Sequence, residues 1–179
     1  MLLFGISALI TIPVSLLAGT QNHKAHVHGI GKIDIAIESP IKANVLLDFP
    51  GDSIFGFEHQ AVSAKDKKTK EDAFQKLFTQ TSSIVRFDPA LGCRFKVNKV
   101  EIEEESPEEH QEAGGAQHGE HTDVNASYEV TCANPMIGSQ IKIPIMTIFP
   151  KIKKVAVQIL KESGQTQSEV SSADESITL

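Results

Sequence analysis

Lys32-Ile33-Asp34-Ile35-Ala36-Ile37-Glu38-Ser39-Pro40-Ile41-Lys42-Ala43-Asn44-Val45-Leu46-Leu47-Asp48-Phe49-Pro50 decides the fold. Ile33, Ile35 and Ile37 recur with a period of two, and Lys32, Asp34 and Glu38 fall on the opposite side. That alternation is the mark of a strand with one buried face. Ser39-Pro40 supplies a turn, and Ile41 to Phe49 is a second apolar-rich run, so the two predict a hairpin. Pro50-Gly51-Asp52-Ser53 ends it.

Working outward, Ser63 is a suitable N-cap for a helix from Ala64 to about Thr79. Ala73, Phe74, Leu77 and Phe78 fall at helical spacing and form its apolar stripe. Arg94 to Ile102 alternates again, with Phe95, Val97 and Lys99 set against Arg94, Lys96, Asn98 and Val100. Asn125 to Ala133, Ile141 to Phe149 and Val155 to Leu160 are further strands, Gly164 to Ser176 is polar and expected to be loop, and Ile177-Thr178-Leu179 leaves room for a last short strand. Ile84 to Phe87 is too short to assign. Mostly strands, one clear helix and tight turns point to an α+β fold: a largely antiparallel β-sheet with one main helix and an acidic, His-bearing loop insert.

Composition narrows the function classes. The 179 residues contain no Trp and one tyrosine, Tyr128, and no basic cluster interleaves with aromatics, which argues against nucleic-acid binding. Residues 1–18, MLLFGISALITIPVSLLA, carry no charged side chain; they resemble a secretory signal peptide, with cleavage expected near Ala18–Gln21. The run is short for a membrane span and contains Pro13, so no stable membrane insertion is expected after cleavage. Cys93 and Cys132 are the two cysteines. In an exported chain an even count suggests one disulfide, the alternative being two buried thiols; zinc ligation is disfavoured because no C-x-x-C spacing exists.

The stretch between those cysteines includes Glu101 to Asp123, EIEEESPEEHQEAGGAQHGEHTD, with nine carboxylates, three histidines and no Lys or Arg. The chain has a formal charge of −6 and this run contributes −9, so the remainder is net basic by +3. Such a run is either a solvated linker or a loop that attracts divalent cations. The seven histidines all fall in three groups: His23, His26 and His28 near the N-terminus; His59 in Gly56-Phe57-Glu58-His59; and His110, His118 and His121 in the acidic run. Core histidines would scatter instead. On an extended strand, His26-Val27-His28 would place two imidazoles on one face, as two ligands of one zinc require. Glu58 beside His59 offers a carboxylate as ligand or as acceptor for an imidazole N–H. Beyond residues 1–18, methionine occurs only at Met136 and Met146, which disfavours Cu(I); imidazole plus carboxylate suits Zn²⁺ first, with Ni²⁺ and Cu²⁺ the other metals this donor set accepts.

His23-Lys24-Ala25-His26-Val27-His28-Gly29, Gly56-Phe57-Glu58-His59, Gly92-Cys93, the His-bearing insert and Tyr128-Glu129-Val130-Thr131-Cys132-Ala133-Asn134-Pro135 occur in that order. Together they resemble the ZrgA-type periplasmic zinc-uptake proteins of Gram-negative bacteria, over residues 23 to 160. The resemblance implies a periplasmic accessory protein in zinc acquisition that binds Zn²⁺ and passes it toward a transporter, and the leading expectation is that it is not an enzyme. It points to His23, His26 and His28, to Glu58 and His59, and to His110, His118 and His121 as metal-binding residues, and it implies that Cys93 pairs with Cys132. With three histidines, the insert departs from richly histidine-laden versions. The expected organisation is a signal peptide over 1–20, a zinc-binding domain over 21–162 with an acidic loop at 103–124, and a polar segment over 163–179. The rival readings are an interaction module whose acidic loop is a spacer, and a zinc hydrolase with Glu58 as general base.

Overall fold

The computed structural model describes residues 27–104 and 122–179. The expected signal peptide lies outside them, as do His23, His26, His110, His118 and His121. The predicted hairpin is present. β1 (Ile30–Ser39) pairs antiparallel with β2 (Lys42–Pro50), with Ile33 opposite Leu47 and Ile35 opposite Val45. The chain then makes a short helical turn, α1 (Gly51–Ile54), and the main helix α2 (Ala64–Thr79). Ser63 caps α2 as expected: the Asp66 N–H donates to Ser63 Oγ at 3.0 Å, and the Ser63 hydroxyl donates to Asp66 Oδ2 at 2.6 Å.

Beyond α2 come β3 (Arg86–Phe87), β4 (Arg94–Glu104), β5 (Thr122–Thr131), β6 (Gln140–Lys142), β7 (Lys154–Lys161), β8 (Gly164–Val170) and β9 (Ser176–Thr178). Six strands form one sheet in the order β4-β5-β2-β1-β7-β8, and β3-β6-β9 form a second, smaller one. Every pairing is antiparallel except β1 with β7, which is parallel. The α+β expectation holds.

Four local expectations are corrected. In β4 the register shifts between Val97 and Lys99, so Val100 and Ile102 return to the inward face with Phe95 and Val97; the bulge at Asn98 resets an alternation that had set Val100 apart. Ile141 to Phe149 is not one strand: β6 stops at Lys142, and Pro144 opens a 3-10 turn over Pro144–Thr147, since proline has no N–H to give a ladder. The polar run from Gly164 is strand β8 as far as Val170. It is the last strand of the large sheet, hydrogen-bonded on one edge to β7, and only Val170 is buried, so it needs no apolar face. Phe78, at the end of the α2 stripe, is 48% exposed, whereas Ala73 and Leu77 are buried.

Inward side chains of the large sheet join Ala73, Leu77, Ile141, Ile143, Ile145 and Phe149 in one continuous core. Tyr128 ties sheet to helix: its buried hydroxyl donates to the Leu77 carbonyl at 3.1 Å, and burial pushes its pKa up, to a value well above the ordinary phenol. Cys93 and Cys132 form a disulfide at the foot of the β4–β5 hairpin, whose far end carries the acidic insert. Closing a loop of that length stabilises by about 4 kcal/mol in the chain-entropy description.

Gly31 sits beneath the Phe49 ring; a Cβ built there would lie 2.0 Å from Phe49 Cδ1. Ring and backbone are thus in direct contact, and burying the ring itself is worth about 1.5–3 kcal/mol. Replacing Gly31 with Ala is expected to cost about 1–3 kcal/mol through overpacking, measured as a lower midpoint in urea with an unchanged slope.

Candidate metal centre

Val27-His28-Gly29-Ile30 is a turn, closed by the Ile30 N–H donating to the Val27 carbonyl at 3.0 Å, and β1 begins only at Ile30. His28 is therefore not on an extended strand, as the H-x-H argument had supposed. Gly29 is the reason: its φ of +79° is the left-handed conformation that the third residue of such a turn needs. The Gly29 carbonyl accepts from the N–H groups of Lys153 and Lys154, at 2.8 and 3.1 Å, and its own N–H donates to Ser53 Oγ at 3.0 Å. The backbone beside His28 is fixed from two sides.

Next to Ser53 in the α1 turn is Asp52, whose Oδ2 lies 3.4 Å from His28 Nδ1. Glu58 Oε1 lies 3.8 Å from the same nitrogen. Phe57 and His59 stack their rings, with centroids 4.7 Å apart, so they share one side of their segment and Glu58 takes the other. His59 Nε2 is 3.6 Å from Asp66 Oδ2 instead. The expected Glu58-His59 pair thus diverges: Glu58 serves His28, and His59 faces the start of α2.

His28, Asp52 and Glu58 present one imidazole and two carboxylates. Two ligand atoms on one tetrahedral zinc, each roughly 2.0–2.2 Å from the ion, stand about 3.4 Å apart. The 3.4 Å separation from Asp52 matches that spacing, and the 3.8 Å separation from Glu58 exceeds it. The donor types fit Zn²⁺. Among the described residues, however, no three His, Cys, Asp or Glu side chains are gathered into a metal-holding group. What the described residues show is one imidazole with two carboxylates near its Nδ1.

Lys151 completes the electrostatics. Its ammonium donates to Asp52 Oδ1 at 2.7 Å and to the Gly56 carbonyl at 3.0 Å. The Lys151 hydrogen bond holds the Asp52 carboxyl below its ordinary value, 3.8, with further lowering from the charges of Lys151 and His28; partial burial opposes them. Asp66 is lowered as well, first by the Ser63 hydroxyl and then by His59. Thr122, the first residue of β5 after the insert, donates its hydroxyl to the Glu58 carbonyl at 2.7 Å. The root of the insert is thereby fastened to the Glu58 backbone.

Asp52, Ser53, Thr122 and Lys151 are functional candidates that the sequence did not mark. Asp52 and Ser53 look like turn residues and Lys151 like surface. Thr122 alone had a signal, since it shares parity with Val124, Ala126, Tyr128 and Val130 in an alternating strand and so faces inward.

No described helix is long and apolar enough to cross a membrane. Compared with known families, residues 25–179 match the family described as ZrgA family zinc uptake protein. No curated protein matches the chain.

Because the Asp52 carboxyl titrates lower in the folded chain than unfolded, its bridge stabilises fully above about pH 4, and that contribution is lost as pH falls through the lowered folded value. Substituting Lys151 with Met should raise the Asp52 pKa toward 3.8 and remove part of this acid-side dependence. The carboxyl carbon resonance of Asp52, followed through an acid titration of both proteins, checks it.

Proposed function

The chain belongs to the ZrgA family of zinc uptake proteins, and from that membership we propose that it is a periplasmic carrier that binds Zn²⁺ and hands it toward a transporter. The observation that carries the proposal is the approach of the Asp52 and Glu58 carboxylates to His28 Nδ1 at 3.4 and 3.8 Å, at the place where the His23–His28 segment enters β1. His28, Glu58 and Asp52 supply part of the shell, and His26 and His23, two and five residues before His28, supply the remainder. Zinc here is cargo. The site binds and releases it, and no residue is assigned a catalytic role.

Three features support this reading. The mixed imidazole and carboxylate donors give a site that is selective without the soft thiolates that would hold metal against transfer. Lys151 leaves a single positive charge beside Asp52, so the field at the site is only partly neutralised before the dication arrives. The Cys93–Cys132 disulfide and the uncharged apolar run at residues 1–18 favour an oxidising compartment outside the cytoplasm.

The acidic insert acts as a collector. Its His110, His118 and His121, set among carboxylates, raise the local concentration of Zn²⁺, and its attachment through Thr122 delivers that concentration next to Glu58. His59 with Asp66 forms a second imidazole and carboxylate pair at the start of α2, 64% and 23% exposed, suited to weak capture.

Zinc affinity, measured by competition with a chromophoric chelator at neutral pH, should fall in His28→Ala by more than the roughly 10–100-fold typical of losing an outer-shell partner. Glu58→Gln should fall in the same direction. Unchanged affinity in His28→Ala would remove this site from consideration. Deleting residues 105–121 should lower the number of zinc ions bound, or slow their capture, while the tight site persists. Loss of all binding in the deletion would mean that the insert itself holds the tight site.

A further inference from the structure

Besides Tyr128, whose hydroxyl is bonded to Leu77, Ser53 and Thr122 are buried hydroxyl-bearing side chains among the described residues, 1% and 4% exposed. A buried hydroxyl is costly unless it is hydrogen-bonded. Both are bonded, and both bonds go to the backbone of the proposed zinc site. Ser53 Oγ accepts the Gly29 N–H at 3.0 Å, next to His28, and the Thr122 hydroxyl donates to the carbonyl of Glu58 at 2.7 Å.

Packing alone does not ask for a hydroxyl at either place. Thr122 opens the inward row of β5, whose other members are Val124, Ala126, Tyr128 and Val130. Valine has the shape of threonine and would bury more apolar surface in that row. Ser53 lies beside the apolar Ile54 in the buried α1 turn. The elements that carry them adjoin: a Cβ added at Gly51, where α1 starts, would lie 3.0 Å from the Thr122 carbonyl. One junction therefore gathers the α1 turn, the start of β5 and both polar braces.

We propose that Ser53 and Thr122 are positioning residues of the zinc site, a pair of buried hydroxyls that hold the backbones of the His28 turn and of Glu58 so that imidazole and carboxylate converge before the metal arrives. The inference rests on the reading of His28 and Glu58 as ligands. The physical reason is preorganisation. Loops whose ligands must be ordered by the ion lose affinity to that ordering, whereas a backbone already tied to the core does not. Thr122 has a further consequence, because it is the residue at which the insert rejoins the sheet. Its hydroxyl ties the Glu58 backbone to the first residue of β5.

The test measures zinc affinity by chelator competition in the full mature chain, alongside thermal melts of the zinc-free proteins. Thr122→Val and Ser53→Ala are each expected to weaken zinc about 10–100-fold, as removal of outer-shell partners does, while Thr122→Ser, which restores the hydroxyl, returns to within about threefold of the parent. A role confined to packing would lower the melting temperature of Thr122→Val and leave its zinc affinity at the parent value, and that result overturns the proposal. Equal weakening in Thr122→Ser and Thr122→Val also overturns it, since the hydroxyl would then not be the group that matters. If Thr122→Val does not fold, Ser53→Ala decides on the same terms. Parent-like affinity in His28→Ala would instead overturn the site reading and this inference with it. Weak binding in His28→Ala together with parent-like binding in Thr122→Val overturns the inference alone.

Discussion

Strand β1 is hydrogen-bonded along both edges, antiparallel to β2 and parallel to β7, with Ile33 and Ile35 fully buried. A strand in that position cannot slip, because a shift of one residue would turn its isoleucines to solvent. Its entry point is set just as firmly. The Gly29 carbonyl takes the N–H groups of Lys153 and Lys154 at the start of the parallel pairing, and Phe49 closes over Gly31. His28 is consequently held at a defined place at the end of the sheet, although its side chain is 63% exposed.

The same end collects the residues around His28. β2 runs into Pro50 and straight on into the α1 turn, which brings Asp52 and Ser53 beside the start of β1. β5 is paired along its whole length with β2, down to Pro50 opposite Asp123, so the return of the insert is fixed one residue from Thr122 and its bond to Glu58. Lys151, from the chain leading into β7, reaches back to Asp52 and Gly56. Three sequence-distant segments meet here because the sheet order places β1, β2, β5 and β7 side by side.

Local pattern made much of this legible from residues alone. The Ile33-Ile35-Ile37 alternation and the Ser63 cap depend on neighbours within a turn or two, and both elements lie where the sequence put them. β8 escaped notice because an edge strand takes its hydrogen bonds from one neighbour and needs no apolar period. The bulge at Asn98 escaped because one inserted residue reverses parity without a glycine or proline to mark it. At the site, His28 and Glu58 were readable as candidate donors by residue type, and the fold places them 3.8 Å apart. The bonds from Ser53 to Gly29 and from Thr122 to Glu58 span 24 and 64 residues, and no local signal encodes such a distance. The divergence of Glu58 and His59 was readable in principle, since adjacent residues of an extended segment point opposite ways.

The disulfide at the foot of the β4–β5 hairpin has a consequence for how such a chain varies over evolutionary time. Cystine and ladder together seal the hairpin below the insert, so the length and composition of that excursion are insulated from the core. Doubling the length of a loop costs only about 0.6 kcal/mol in closure entropy, small beside the roughly 4 kcal/mol that the cross-link contributes. Descendants are therefore free to gain or shed residues there while the domain beneath remains the same object.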